Sequence, residues 1–171
     1  MVQALQNWLT LEAFLAFPEG DVACELINGV AVSKTVPQRF HSRTQKALLL
    51  ILENWGCQRG EVGIEWAVTL KRKGKDWVPV PELLFVSQER LPKDFTEDGP
   101  CPIPPELAVE IISPDQTFGG MTEKALDYLA AGVLRVWIVD PNPKASRSLY
   151  PIAHLRSSEA IAPSRIPSYP T

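Results

Sequence analysis

Short apolar runs rich in Val and Ile alternate along this chain with turn signals and with stretches of helical periodicity. The most apolar run, Glu106 to Ile112, lies between Pro104-Pro105 and Ser113-Pro114-Asp115 and reads as a buried strand. Earlier, Thr10 before Leu11 to Phe17 predicts a short capped helix, stopped by Pro18 and Gly20. Val22 to Ile27 and Val30 to Val32 flank Asn28-Gly29, a strong hairpin signal, because both central residues must take positive φ. Alternation there puts Glu25 and Ile27 on one face and Leu26 on the other. From Phe40 to Asn54 the spacing predicts a helix, with Ala47, Leu48, Leu50, Ile51 and the following Trp55 as its apolar positions.

The second half continues the pattern. Glu61 to Leu70 reads as one strand, with Val62, Ile64, Trp66 and Val68 on one side. Lys71 to Asp76 is a basic turn, and Val78 to Val86 returns as a strand. Residues 87–105 form a polar, proline-rich loop, and 115–120 form another. Met121 to Ala131 is a helix, with Thr122 as its cap and Gly132 at its end. Val133 to Val139 is a buried strand, and a short strand near Leu149-Tyr150 pairs with it. From Pro151 on, Ser, Pro and Ala dominate without a period, so a loosely draped tail is expected over 151–171. The order implies one α/β (α+β) domain over residues 1–150, a mixed sheet flanked by helices.

Acidic residues interrupt this apolar pattern. Glu110 sits inside the central run, Glu82 opens the run Leu83 to Val86, and Glu25 lies in the first hairpin. Taken singly, Glu25 and Glu82 fit solvent-facing or salt-bridged strand ends. Glu110 is different, because an ionised carboxylate in a dry interior needs a partner. Two carboxylates about 4 Å apart repel by roughly 4 kcal/mol at an effective dielectric of about 20. A cation relieves this. Mg²⁺ would suit such hard oxygen donors, with the carbonyl of Ile111 beside Glu82 and Glu110. Lys124, on the following helix, is a second cation, although a helix lysine is ordinarily a surface group. Arg39, Arg43 and Lys46 on the long helix, and Lys71, Arg72 and Lys73 in the basic turn, are candidates for phosphate contact. Each group also fits a solvated face. His41, in the same basic turns of the helix, also fits a simple surface residue and is not taken as a ligand.

Bulk composition narrows the class. With 171 residues, 45% apolar and 22% charged, the chain fits a soluble globular protein with one sizeable core. A net charge of −3 argues against coating nucleic acid by charge alone. Three cysteines without a CxxC pair indicate neither a zinc site nor a disulfide framework, and a reducing cytoplasm fits. No secretion signal and no membrane-spanning run is seen.

Five segments in series carry a resemblance: Cys24-Glu25-Leu26-Ile27-Asn28-Gly29, Pro81-Glu82-Leu83-Leu84-Phe85-Val86-Ser87, Glu110-Ile111-Ile112-Ser113-Pro114, Glu123 to Val133, and Val136-Trp137-Ile138-Val139-Asp140-Pro141. Together they resemble the Uma2 (DUF820) family of endonucleases, in the PD-(D/E)xK, restriction-endonuclease-like superfamily. The resemblance runs from about Leu9 to about Tyr150. It implies a restriction-endonuclease-like core and a Mg²⁺- or Mn²⁺-dependent hydrolase of DNA phosphodiesters. It implies Glu82 and Glu110 as metal ligands, Lys124 as the catalytic lysine, and Glu25 as a completing acid. Glu82 stands where the family has Asp. Ile112 stands where the superfamily usually has lysine, and Lys124 supplies one from the next helix instead. The loop Gln116 to Met121, Arg135-Val136 and the chain after Tyr150 also depart from the family pattern.

Three functions are therefore expected in descending order. The first is a metal-dependent DNA endonuclease, for which a homodimer would provide two cuts. The second is a catalytically impaired protein of the same fold that binds nucleic acid or a protein partner. A glycosidase using paired carboxylates comes last.

Overall fold

The computed structural model describes residues 8–16, 23–142 and the backbone of 149–153. Most of the predicted tail, 154–171, lies outside the described residues. Thr10 caps the short helix α1 (Leu11–Leu15) by accepting from the Ala13 amide. The hairpin β1 (Cys24–Ile27) and β2 (Val30–Ser33) turns at Asn28-Gly29, both at positive φ, as its sequence demands. The long helix α2 covers Arg39–Gly56.

The two strands expected over 61–70 and 78–86 are instead four. They are β3 (Gly60–Ile64), β4 (Leu70–Arg72), β5 (Lys75–Val78) and β6 (Leu83–Ser87). Glu65 takes a positive φ and breaks the first run, and Pro79 and Pro81 interrupt the second. A proline has no amide to continue a ladder, so the chain changes sheets there. Lys73-Gly74, both at positive φ, make the tight turn between β4 and β5.

The remaining elements are β7 (Leu107–Ile111), α3 (Phe118–Ala130), β8 (Arg135–Val139) and β9 (Leu149–Ala153). Helix α3 starts earlier than its apolar pattern indicates. Thr117, not Thr122, is its cap, accepting from the Gly120 amide. Strand β9 extends to Ala153, beyond the residue at which the tail was expected to begin.

Two sheets result. One is antiparallel, in the order β2-β1-β5-β4. The other is mixed, β3-β6-β7-β8-β9, with only β7 and β8 parallel. Helix α3 is the crossover that a parallel pair requires. Leu83 and Phe85 of β6, with Leu107, Val109 and Ile111 of β7, pack under α2. Leu84, Val86 and Ala108 face the other way, against Met121, Ala125 and Tyr128 of α3 and Trp77 of β5. Glu82 and Glu110 have the parity of this second face.

The apolar stripe of α2 differs from the expected one. Leu52 is buried, with Leu48 and Leu49 packed beside it, while Leu50, Ile51 and Trp55 are largely exposed. The loop 87–105 also contributes to the core. Cys101 pairs with Val68, and Leu91 is buried. No helix among the described residues is long and apolar enough to cross a membrane.

Candidate active site

The site opens where the two sheets part. Strands β6 and β7 pair as far as Leu83↔Val109. One step further, Glu82 and Glu110 leave adjacent strands toward the same side. Beside them, Pro79-Val80-Pro81 leads off to the other sheet. The one available amide of that segment, Val80 N–H, donates to Glu25 Oε1 at 3.0 Å. Glu25 thereby swings in from β1. All three carboxylates are buried, at 7%, 5% and 4% exposure for Glu25, Glu82 and Glu110. They line one cleft of about 320 Å³, together with Lys34, Ser113, Gln116 and Lys124.

Lys124 reaches in from α3. Its Nζ lies 2.8 Å from Glu25 Oε1 and 2.9 Å from Glu110 Oε1. Tyr128, one turn further along α3, donates its hydroxyl to Glu110 Oε1 at 2.7 Å. Burial pushes the Glu110 carboxyl above the usual carboxylate range, against the pull of the Lys124 charge. For Lys124, burial alone would favour the neutral amine. The Glu110 and Glu25 charges outweigh it and raise the ammonium's pKa well above the ordinary lysine value. Burial, followed by the charges of Glu110 and Glu25, raises Tyr128 well above an ordinary phenol. Tyr128 is thus a fixed hydrogen-bond donor at neutral pH.

A second cluster surrounds Glu82. Lys34 Nζ is 3.1 Å from its Oε1, and Gln45 Nε2 donates to its Oε2 at 3.0 Å. His41 Nε2 is 3.5 Å from Oε1. Burial opposes ionisation of Glu82, but His41 and Lys34 overcome it and hold the carboxyl below its usual range. His41 is 4% exposed, which corrects its reading as a surface residue: one turn before Gln45 on α2, it points inward. At 3.5 Å the Nε2 contact with Glu82 is longer than a good hydrogen bond and acts mainly through charge, and Nδ1 has no hydrogen-bond partner among the described residues.

Four of the residues singled out in the sequence, Glu25, Glu82, Glu110 and Lys124, therefore meet at one cleft. Ile111 follows Glu110 on β7 with its side chain in the core under α2. Of the six basic candidates, none lines the cleft. Arg39, Arg43 and Lys46 form an exposed stripe on α2. Lys71 pairs with Asp76 at 2.5 Å, Arg72 pairs with Asp127 at 2.6 Å, and Lys73 is exposed in the turn. Lys34, Gln45, His41 and Tyr128 were not legible as site residues. Lys34 lies in coil just after β2, and Tyr128 matches the apolar period of α3, so neither carries a sequence signal. A larger hollow, about 890 Å³, lies on the α2 side between Trp55, Phe85 and Trp137, away from the carboxylates.

The donors suit a hard divalent cation in chemistry, being carboxylate oxygens, and the buried Nδ1 of His41, without a hydrogen-bond partner among the described residues, leaves polar capacity beside Glu82. As arranged, no group of three or more His, Cys, Asp or Glu among the described residues is placed to hold a metal. Ammonium groups stand among the carboxylates instead.

By its fold the chain falls in a nuclease-like class. A solved structure shares it: a "putative nuclease belonging to DUF820 from Anabaena variabilis ATCC 29413" superposes with a TM-score of 0.68 at 25% identity, over 85% of each chain. The family model described as "Uma2: Putative restriction endonuclease" matches residues 11–157, and the chain belongs to this family. No curated protein matches it.

Proposed function

We propose that this protein is a metal-dependent endonuclease that hydrolyses phosphodiester bonds in DNA. The observation that carries the reading is the convergence of Glu25, Glu82, Glu110 and Lys124 on one cleft, from β1, the segment just before β6, β7 and α3. Glu82 and Glu110 would hold Mg²⁺ or Mn²⁺, with the Ile111 carbonyl as a third oxygen. Such an ion lowers the pKa of a bound water and stabilises charge on a phosphoryl oxygen.

The protein's own groups have definable parts in this scheme. Glu25, anchored by the Val80 amide, and Glu110 together aim the Lys124 ammonium into the cleft. Lys124 can then orient a water or a non-bridging phosphate oxygen by charge-assisted hydrogen bonds. Tyr128 fixes the Glu110 rotamer by holding one oxygen. The basic stripe Arg39, Arg43 and Lys46 would meet the DNA backbone outside the cleft. We further propose one nuclease domain, expected over residues 1–150 and carried by β9 to Ala153, and a homodimer as the form that cuts both strands.

The test is plasmid cleavage with Mg²⁺ and with Mn²⁺, comparing wild type with E110Q and K124A. Both variants should lose metal-dependent nicking. Cleavage at the wild-type rate by either one removes the site assignment.

One observation favours a second reading, a catalytically impaired protein that binds nucleic acid or a protein partner. The buried carboxylates already face ammonium groups, and no three-ligand group is preformed. Calorimetric titration separates the two readings: absence of any metal-binding heat at millimolar Mn²⁺, both without DNA and with a phosphorothioate duplex, would favour the second.

A further inference from the structure

Lys34 is called for by neither the apolar pattern nor the family motifs, yet it holds a central place. Its Nζ lies 3.1 Å from Glu82 Oε1, donates to the Val80 carbonyl at 3.1 Å, and stands 4.0 Å from Glu65 Oε1. With Gln45 on Oε2, both oxygens of Glu82 are engaged by protein donors. The adjoining His41 is nine-tenths buried, with Nε2 turned to Glu82 Oε1 at 3.5 Å and no hydrogen-bond partner for Nδ1 among the described residues, so the surroundings of Glu82 are polar and enclosed.

We propose that Lys34 is a built-in counter-ion that competes with a divalent metal for Glu82, so that the metal binds tightly only together with a phosphodiester. The inference rests on the metal-dependent reading above. Its argument is charge balance at short range. Among the residues that line the cleft, with Glu25, Glu82 and Glu110 ionised, Lys34 and Lys124 leave one negative charge uncompensated; Glu65, whose side chain is 43% exposed, and His41 stand outside that lining. A divalent ion alone would turn that into an excess positive charge, in a buried setting where such an excess is costly. The single negative charge of a phosphodiester cancels it. Metal and substrate then favour one another, and by linkage each raises the affinity of the other by the same factor. Without Lys34, two uncompensated negative charges would meet the divalent ion directly, and the substrate would no longer be needed to load it.

The experiment measures Mn²⁺ affinity of the full-length protein at pH 8 by calorimetry and by the paramagnetic resonance of free Mn²⁺. It is run with and without a random-sequence DNA duplex carrying phosphorothioate linkages. Wild type should bind Mn²⁺ about tenfold more tightly when the duplex is present. K34Q should bind Mn²⁺ about tenfold more tightly than wild type in the absence of DNA, and should gain little from adding it. K34R, which keeps the charge, should behave as wild type.

Mn²⁺ binding by wild type that ignores the duplex overturns the proposal without any variant, so a poorly folding K34Q does not shield it. Unchanged or weaker Mn²⁺ binding by a folded K34Q also overturns it, while leaving the metal-dependent reading intact. No Mn²⁺ binding by wild type or K34Q, with or without DNA, removes the metal reading and the Lys34 inference together.

Discussion

The Lys124 ammonium and the Glu110 carboxylate stand 2.9 Å apart in the protein interior, one from α3 and one from β7. The same Nζ touches Glu25, so a single cation serves two buried anions. Removing one partner of a buried ion pair is costly, because the other charge is stranded. K124A strands two. It should lose about 3 kcal/mol or more of stability in metal-free buffer, read from urea denaturation. A loss below about 1 kcal/mol, the range of solvent-screened pairs, would mean the cleft is wetter than its burial implies.

Glu110→Gln should behave differently. The amide keeps the shape and can still accept the Tyr128 hydroxyl, and Lys124 keeps Glu25 as its partner. What disappears is a buried charge beside another carboxylate. The melting temperature of metal-free E110Q should therefore equal or exceed that of wild type. Millimolar Mn²⁺ should raise the melting temperature of wild type and leave that of E110Q in place, since a ligand stabilises only the folded state that binds it. A fall in the metal-free E110Q melting temperature would indicate that Glu110 is a net structural anchor.

How far the sequence could lead is clear from particular residues. Asn28-Gly29 specifies its own φ values, so the hairpin is legible. The run from Leu107 to Ile111 is apolar on both faces except at Glu110, because it is buried on both, so β7 is legible as well. The break at Glu65 is not, because alternation continues across it in letters while the backbone turns away. Leu50, Ile51 and Trp55 fit a helical period as well as Leu48, Leu49 and Leu52 do. Only the sheet underneath decides which stripe is covered. At the site, the acids are legible because charge inside an apolar run is anomalous. Lys34 and His41 stand among other polar residues, and only their tertiary placement beside Glu82 distinguishes them.

The exposed stripe Arg39, Arg43 and Lys46 recurs at helical spacing on α2, and no ion pair of it is seen among the described residues. If it meets a DNA backbone, each lost contact should lower the magnitude of the salt slope of binding by about 0.9. The triple alanine variant should therefore bind duplex DNA more weakly, with a shallower dependence of log affinity on log KCl, measured by fluorescence anisotropy. Arg72→Ala should leave that slope unchanged, because Arg72 is committed to Asp127. An unchanged slope in the triple variant would direct attention to another face.

Cys101 offers a pH test far from the carboxylates. Its thiol is buried in the core, donates to the Ile103 carbonyl at 3.3 Å, and its main chain ties Ala67 and Thr69 to the loop 87–105. Burial pushes its pKa above the ordinary thiol value. The folded state therefore prefers the neutral thiol more than the unfolded state does. That contribution is fully present below the unfolded value, about 8.5, and is lost as pH rises through the higher folded value. Stability of wild type relative to C101A should accordingly decline from about pH 9 upward and stay constant between pH 6 and 8. Site-resolved mass spectrometry after brief iodoacetamide treatment at pH 8 should find exposed Cys57 alkylated and Cys101 protected. Equal labelling of the two would show that the loop 87–105 opens easily, and with it the wall that seals the core beneath α3.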